Sequence, residues 1–116
     1  MKKKAHQQLL RRTNDPPFLI LTSLAAGPKH GYALLLDIEE FAGVLLSPGT
    51  LYGAITRLDE SGLIEPMADI DRRRPYRLTA SGAQVLGEVT NEMRRLSDVG
   101  AARLRLARGG LRGAST

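Results

Sequence analysis

Thr50, Tyr52, Thr56 and Arg57 bring hydroxyl, phenol and guanidinium groups into one short stretch, and Arg72, Arg73 and Arg74 follow as a consecutive run. These groups donate and accept hydrogen bonds, and guanidinium pairs with phosphates and base edges; none is arranged to make or break bonds. The chain has no cysteine nucleophile, no G-x-S-x-G turn, no Walker loop and no G-x-G-x-x-G. Glu39-Glu40 and Asp59-Glu60 are adjacent acidic pairs at expected helix ends, read as solvated. No catalytic residue is expected. With two histidines and no cysteine, neither a metal site nor a cofactor is expected.

The stretch Ser47-Pro48-Gly49-Thr50-Leu51-Tyr52 reads as the start of a helix spanning 48–60. Ser47 accepts from the first free N–H groups, and Pro48 suits the first helical position. At about 100° per residue, Leu51, Ile55 and Leu58 share a buried face. The opposite face carries Gly49, Gly53, Thr56 and Arg57, with Thr50 on its border. Each glycine inside a helix costs about 1 kcal/mol against alanine, and a merely solvated face does not explain that cost. A small, polar, singly basic face suits a helix that lies close against another surface. Tyr52 stands on the flank, where its ring packs or its hydroxyl meets a phosphate.

The loop Asp69-Ile70-Asp71-Arg72-Arg73-Arg74 falls between two expected strands, so its arginines stand at a hairpin tip, suited to phosphates or a narrow minor groove. Arg77, on the returning strand, is expected to point away from Tyr76 and Leu78. Lys29-His30-Gly31-Tyr32 opens another helix. Either Lys29 and His30 hold a phosphate at its N-terminus or His30 merely caps it, while Gly31 and Tyr32 are expected to pack the helix pair.

The 116 residues carry a formal charge of +5, distributed unevenly. Lys2, Lys3, Lys4, Arg11 and Arg12 lead the chain, and Arg94, Arg95, Arg103, Arg105, Arg108 and Arg112 gather near its end. Residues 13–93 hold 6 basic against 11 acidic residues, a net −5. The basic pI near 10.1 therefore says little about nucleic acid, and local clusters must carry that inference. The absence of cysteine fits a reducing, cytoplasmic setting. Phe18 to Leu21 follows basic residues as a leader's core would, but Asp15-Pro16-Pro17 interrupts it, so no leader is expected. No apolar run is long enough for a membrane span.

These groups need positioning elements. Residues 1–14 form a basic arm that either tracks DNA or stays a solvated tail. Asp15 followed by Pro16 signals a helix start, Phe18 to Ala26 makes a first helix that stops at Gly27-Pro28, and a second runs from about His30 to Phe41. After the helix at 48–60, Leu63–Met67 and Pro75–Leu78 form a two-stranded hairpin. Thr79 caps a long final helix over about 80–108, closed by Gly109-Gly110, with a disordered tail at 111–116. The fold class is mainly α with a small β-hairpin: a winged helix-turn-helix at 15–79 and a dimerisation helix at 80–110. In that helix Leu86, Val89, Met93, Leu96 and Val99 form an apolar stripe that either a partner chain or this chain's own fold buries.

Ile20-Leu21, Leu24, Pro28, His30-Gly31-Tyr32, Gly49-Thr50-Leu51-Tyr52, Arg57-Leu58, Gly62-Leu63-Ile64, Tyr76-Arg77-Leu78-Thr79 and Gly82 resemble, in order and spacing, the PadR family of bacterial transcriptional regulators. The single final helix resembles the compact subgroup. The resemblance implies a homodimer, a winged-helix reader of double-stranded DNA and usually a repressor; a two-fold pair would read an inverted-repeat operator, and no membrane partner is expected. The expected DNA-binding residues are Lys29, His30, Ser47, Gly49, Thr50, Tyr52, Gly53, Thr56, Arg57, Arg72, Arg73 and Arg74. An effector, where one binds, is expected between subunits beside the final helix; in one branch of the family tryptophans line that cavity, and this chain has none. The competing expectation is a winged-helix protein-interaction module without specific DNA binding, in keeping with the acidic centre.

Overall fold

The structure is a computed structural model that describes residues 14–115, with side chains through residue 110. The expected basic arm, apart from Asn14, lies outside the described residues. Proline rings at the first turn set the start of α1 (Pro16–Ala25), while the Asp15 carboxylate makes no capping bond. Gly27, at φ +145, turns the chain into β1 (Lys29–His30). His30 then caps α2 (Gly31–Ala42), which Gly43 ends at φ +67 by donating to the Glu39 carbonyl at 2.9 Å.

Ser47 caps α3 (Pro48–Glu60) as expected: its Oγ accepts from the Thr50 N–H at 3.1 Å. Gly62, at φ +74, leads into β2 (Ile64–Pro66). That strand pairs antiparallel with β3 (Pro75–Leu78), with Ile64 opposite Leu78 and Pro66 opposite Tyr76. The expected two-stranded hairpin is a three-stranded sheet ordered β1-β3-β2, because Lys29 and His30 pair with Tyr76 and Pro75. Two residues between Pro28 and a helix carry no alternation to read; their pairing is imposed from more than forty positions away.

Thr79 caps α4 (Ala80–Ser115), accepting from the Gly82 N–H at 3.0 Å and donating to the Gly62 carbonyl at 2.7 Å. Gly82 has no room for a side chain, since a Cβ there would strike the Leu63 carbonyl. The expected end of this helix at Gly109-Gly110 is not observed. A glycine stop needs a left-handed residue, and the positive-φ glycines are Gly27, Gly43 and Gly62. α4 therefore runs on to Ser115 instead of giving way to a disordered tail.

The chain divides into two compact units at Leu86–Gly87, inside α4. In the first, α1, α2, α3 and the sheet enclose one apolar core in which Ile20, Leu34, Ile38, Leu51 and Ile64 are fully buried. Each such side chain contributes about 1.5–3 kcal/mol. On α3 the buried face is Leu51, Ala54, Ile55 and Leu58, the expected set plus Ala54. Leu86 also packs against this core, where the sequence placed it in the dimer stripe. It lies in the first unit, close enough to the start of α4 for its own module to cover it.

Candidate nucleic-acid interface

Burying Leu51, Ala54, Ile55 and Leu58 turns the other side of α3 outward. Ser47, Gly49, Thr50, Tyr52, Thr56 and Arg57 are exposed and Gly53 is half-buried. Thr50 Oγ1 accepts from Ser47 Oγ at 2.9 Å, and Thr56 Oγ1 donates back to the Tyr52 carbonyl at 2.9 Å. Thr56 thus keeps its lone pairs free to accept, while Thr50 keeps its hydroxyl proton to give. A Cβ on Gly49 would meet nothing within 4 Å, so its bare backbone is open to an approaching surface. The Arg57 guanidinium lies over Gly53, with Nη1 3.7 Å from where a Cβ would stand, and it has no acidic partner among the described residues.

The wing loop ends in a two-residue turn. Ile70 and Arg73 exchange backbone hydrogen bonds at 2.8 and 2.9 Å, with Asp71 at φ +49 and Arg72 at φ +65 between them. That is the type I′ pattern, which glycine and asparagine fill most easily. An arginine in the left-handed region costs about 1 kcal/mol or more, and the chain places its guanidinium at the apex nonetheless.

The three arginines, equivalent in sequence, have different surroundings. Arg74 Nε donates to Asp69 Oδ1 at 3.3 Å, an exposed pair of little stabilising value. Arg73 Nη1 stands 3.2 Å from His30 Nε2. Among the described residues, Arg72 contacts no acidic group. Arg77 points outward, as expected, and is held by Glu65 at 2.5 Å.

Lys29 departs from its expected role. Its Nζ donates to the Ser23 carbonyl at 2.5 Å and lies 3.7 Å from Asp37 Oδ2, with the side chain only 19% exposed. Ser23, itself buried, donates to the same carboxylate at 2.5 Å. Lys29 ties β1 to α1 and α2 and is not available to a phosphate. The sequence did not betray this because Ser23 and Asp37 sit on different helices. His30 takes the capping role: its Nδ1 faces the Ala33 N–H at 3.4 Å. A neutral imidazole accepts at one nitrogen only, so His30 cannot serve that cap and Arg73 together.

Tyr32 was expected to pack the helix pair, yet it is 61% exposed. Gly31 packs as expected, beneath Tyr52, whose hydroxyl occupies the space a Cβ on Gly31 would need. His30, Gly31, Tyr32 and Tyr52 meet Arg72, Arg73, Arg74 and Tyr76 around an open cleft of about 320 Å³. Tyr32 and Tyr76 were missed as cleft residues; the signal was aromatic residues following His30 and the arginine run. The second unit is α4 beyond Leu86. There Val89 and Met93 are half-buried, Leu96 and Val99 are exposed, and Leu104, not foreseen, is exposed as well.

A capped helix with an open small-residue face, beside a strand-borne loop with arginines at its tip, defines a winged helix-turn-helix protein. Residues 20–88 match the transcriptional regulator PadR-like family, and the chain belongs to that family. It is 45% identical over 86 residues to an uncharacterized 37.1 kDa protein in a transposon of Streptomyces fradiae, covering 74% of this chain and 25% of that protein. It is 32% identical over 71 residues to the transcriptional activator GvpE2 of Halobacterium salinarum, covering 61% of this chain and 36% of that one. The chain thus spans about a quarter and about a third of the lengths of these two relatives. The crystal structure of a PadR family transcriptional regulator from Eggerthella lenta superposes with a TM-score of 0.71 at 30% identity, over 89% of this chain and 92% of that one. The family, GvpE2 and the Eggerthella lenta protein are described as transcriptional regulators. Among the described residues no helix is long and apolar enough to cross a membrane.

Proposed function

We propose that this chain is a sequence-specific DNA-binding regulator that acts as a dimer on an inverted-repeat operator and represses transcription there. The observation that carries the reading is that, among the described residues, Arg57 on α3 and Arg72 and Arg73 on the wing lack acidic partners, whereas Arg74 and Arg77 have them. In a central region with a net charge of −5, leaving these cations without acidic partners suits a phosphate-rich partner. Thr50, Thr56 and Arg57 then read base edges, with Gly49 and Gly53 permitting close approach. Tyr52, Ser47 and the wing hold the backbone. Leu96 and Val99, open on α4, and the half-buried Met93 supply the apolar surface for the dimer. An effector between subunits belongs to the same reading.

A gel shift of the purified protein on its own upstream DNA, run at two salt concentrations, tests this. A discrete complex that weakens steeply with salt is expected. No shift, or one indifferent to salt, would favour the protein-interaction reading. A reporter fused to the bound DNA then gives the sign of regulation, repression being expected.

A further inference from the structure

A second cleft, of about 690 Å³, lies against the base of the wing, lined by Pro28, Lys29, His30, Met67, Ile70, Asp71, Arg73 and Pro75. Its size falls within the range of small-molecule sites. Most of the lining is aliphatic: two prolines, Met67, Ile70 and the stem of Lys29, whose ammonium is turned away to Ser23 and Asp37. Ile70 is 62% exposed at the wing, a large apolar side chain that the core does not use. The available cation is Arg73. Its side-chain partner among the described residues is His30 Nε2 at 3.2 Å, a single exposed contact that leaves the other guanidinium N–H groups free to donate. Arg73 thus lines an aliphatic cleft without a carboxylate partner among the described residues, and Asp71 in the same lining disfavours a second negative charge on any occupant.

We propose that this cleft binds a small amphiphilic monoanion, a carboxylate on an aliphatic body. The carboxylate takes Arg73, and the aliphatic part covers Ile70, Met67 and Pro75. Arg73 and His30 also line the cleft between α3 and the wing. One guanidinium cannot make its strongest pairing with a carboxylate and a DNA phosphate together, so the ligand competes with DNA. The coupling is reciprocal: DNA weakens the ligand by the factor by which the ligand weakens DNA. This regulatory step rests on the DNA-binding reading above; occupancy of the cleft does not.

Octanoate serves as the probe and 1-octanol as its neutral counterpart, titrated into full-length protein without DNA and followed by amide NMR shifts. Saturable shifts at Ile70, Met67 and Arg73 are expected with octanoate, at least tenfold weaker with octanol or with Arg73→Gln. No saturable binding, shifts confined to other residues, or equal binding by Arg73→Gln would each overturn the proposal. Ile70→Ser, on an exposed side chain, should weaken octanoate while leaving the fold intact; unchanged affinity would also count against the site. Saturating octanoate should then lower affinity for the upstream duplex in the wild type and leave Arg73→Gln unaffected. A duplex that binds equally well with and without octanoate would overturn the competition. A protein that binds octanoate but no DNA would instead remove the DNA-binding reading and leave the cleft standing.

Discussion

The hydroxyl of Tyr52 on α3 lies over Gly31, the first residue of α2, so closely that a side chain on Gly31 would overlap it. This contact joins α3 to the start of the helix before it, beside His30 and the wing arginines. It also fixes a ring that is 51% exposed and would otherwise be free to turn.

Gly31→Ala should displace that ring. Because Tyr52 can swing toward solvent, thermal stability should change by less than about 1 kcal/mol. DNA affinity should fall by about 1–2 kcal/mol, the value of a hydrogen bond lost to a charged phosphate. In a Tyr52→Ala background Gly31→Ala should be nearly silent, and a double-mutant cycle on duplex affinity measures that coupling. Additive losses would mean that Gly31 acts through something other than Tyr52.

Arg57→Ala should cost affinity for one sequence far more than for others. Arg57 is the only basic side chain on the outward face of α3 and has no acidic partner among the described residues. A bidentate contact with guanine is worth about 1–3 kcal/mol of discrimination. Competition between the upstream duplex and a scrambled one checks this; equal losses on both would assign Arg57 to phosphate alone.

What was legible in the sequence was what short-range chemistry decides. Ser47, Pro48 and the apolar spacing of Leu51, Ile55 and Leu58 define α3 within its own 13 residues, and its observed bounds are those expected. The outward face of Gly49, Gly53, Thr56 and Arg57 followed from the same geometry. β1 was not legible because its pairing belongs to Tyr76 and Pro75. Nor were the separate surroundings of Arg72, Arg73 and Arg74, which depend on where Asp69 and His30 come to lie in space. Gly109-Gly110 misled because composition reports the left-handed option and not whether the backbone takes it.

The wing arginines should therefore separate on mutation. Arg72→Gln and Arg73→Gln should each lower the magnitude of the log–log salt slope by about 0.9 for a lost phosphate contact. Arg74→Gln, already paired with Asp69, should lower it less. Arg72→Gly should raise thermal stability slightly, because glycine adopts φ +65 without strain, while still weakening DNA binding. A series in which all three glutamine variants lose equal slope would show that the Asp69 pair does not hold Arg74 away from DNA.

The exposed stripe on α4 should make the dimer, and the dimer should make operator specificity. Leu96 is 59% exposed and Val99 and Leu104 lie open beyond it, a run of large apolar side chains that one chain leaves in water. Each stabilises by about 1.5–3 kcal/mol when buried, so a few of them on two copies outweigh the entropy of ordering the contact. A two-fold pair of winged modules would present two copies of α3 to successive major grooves about 34–36 Å apart. Asp placed at both Met93 and Leu96 puts paired like charges into that seam while leaving the core of the first unit untouched. Light scattering should then report a monomer. Its affinity for the upstream duplex should fall toward that for scrambled DNA, since one half-site contact replaces two, while circular dichroism still shows the winged module melting near its original temperature. A double variant that stays dimeric would place the interface elsewhere. A monomer that keeps full operator preference would show that one copy of α3 and its wing suffice for recognition.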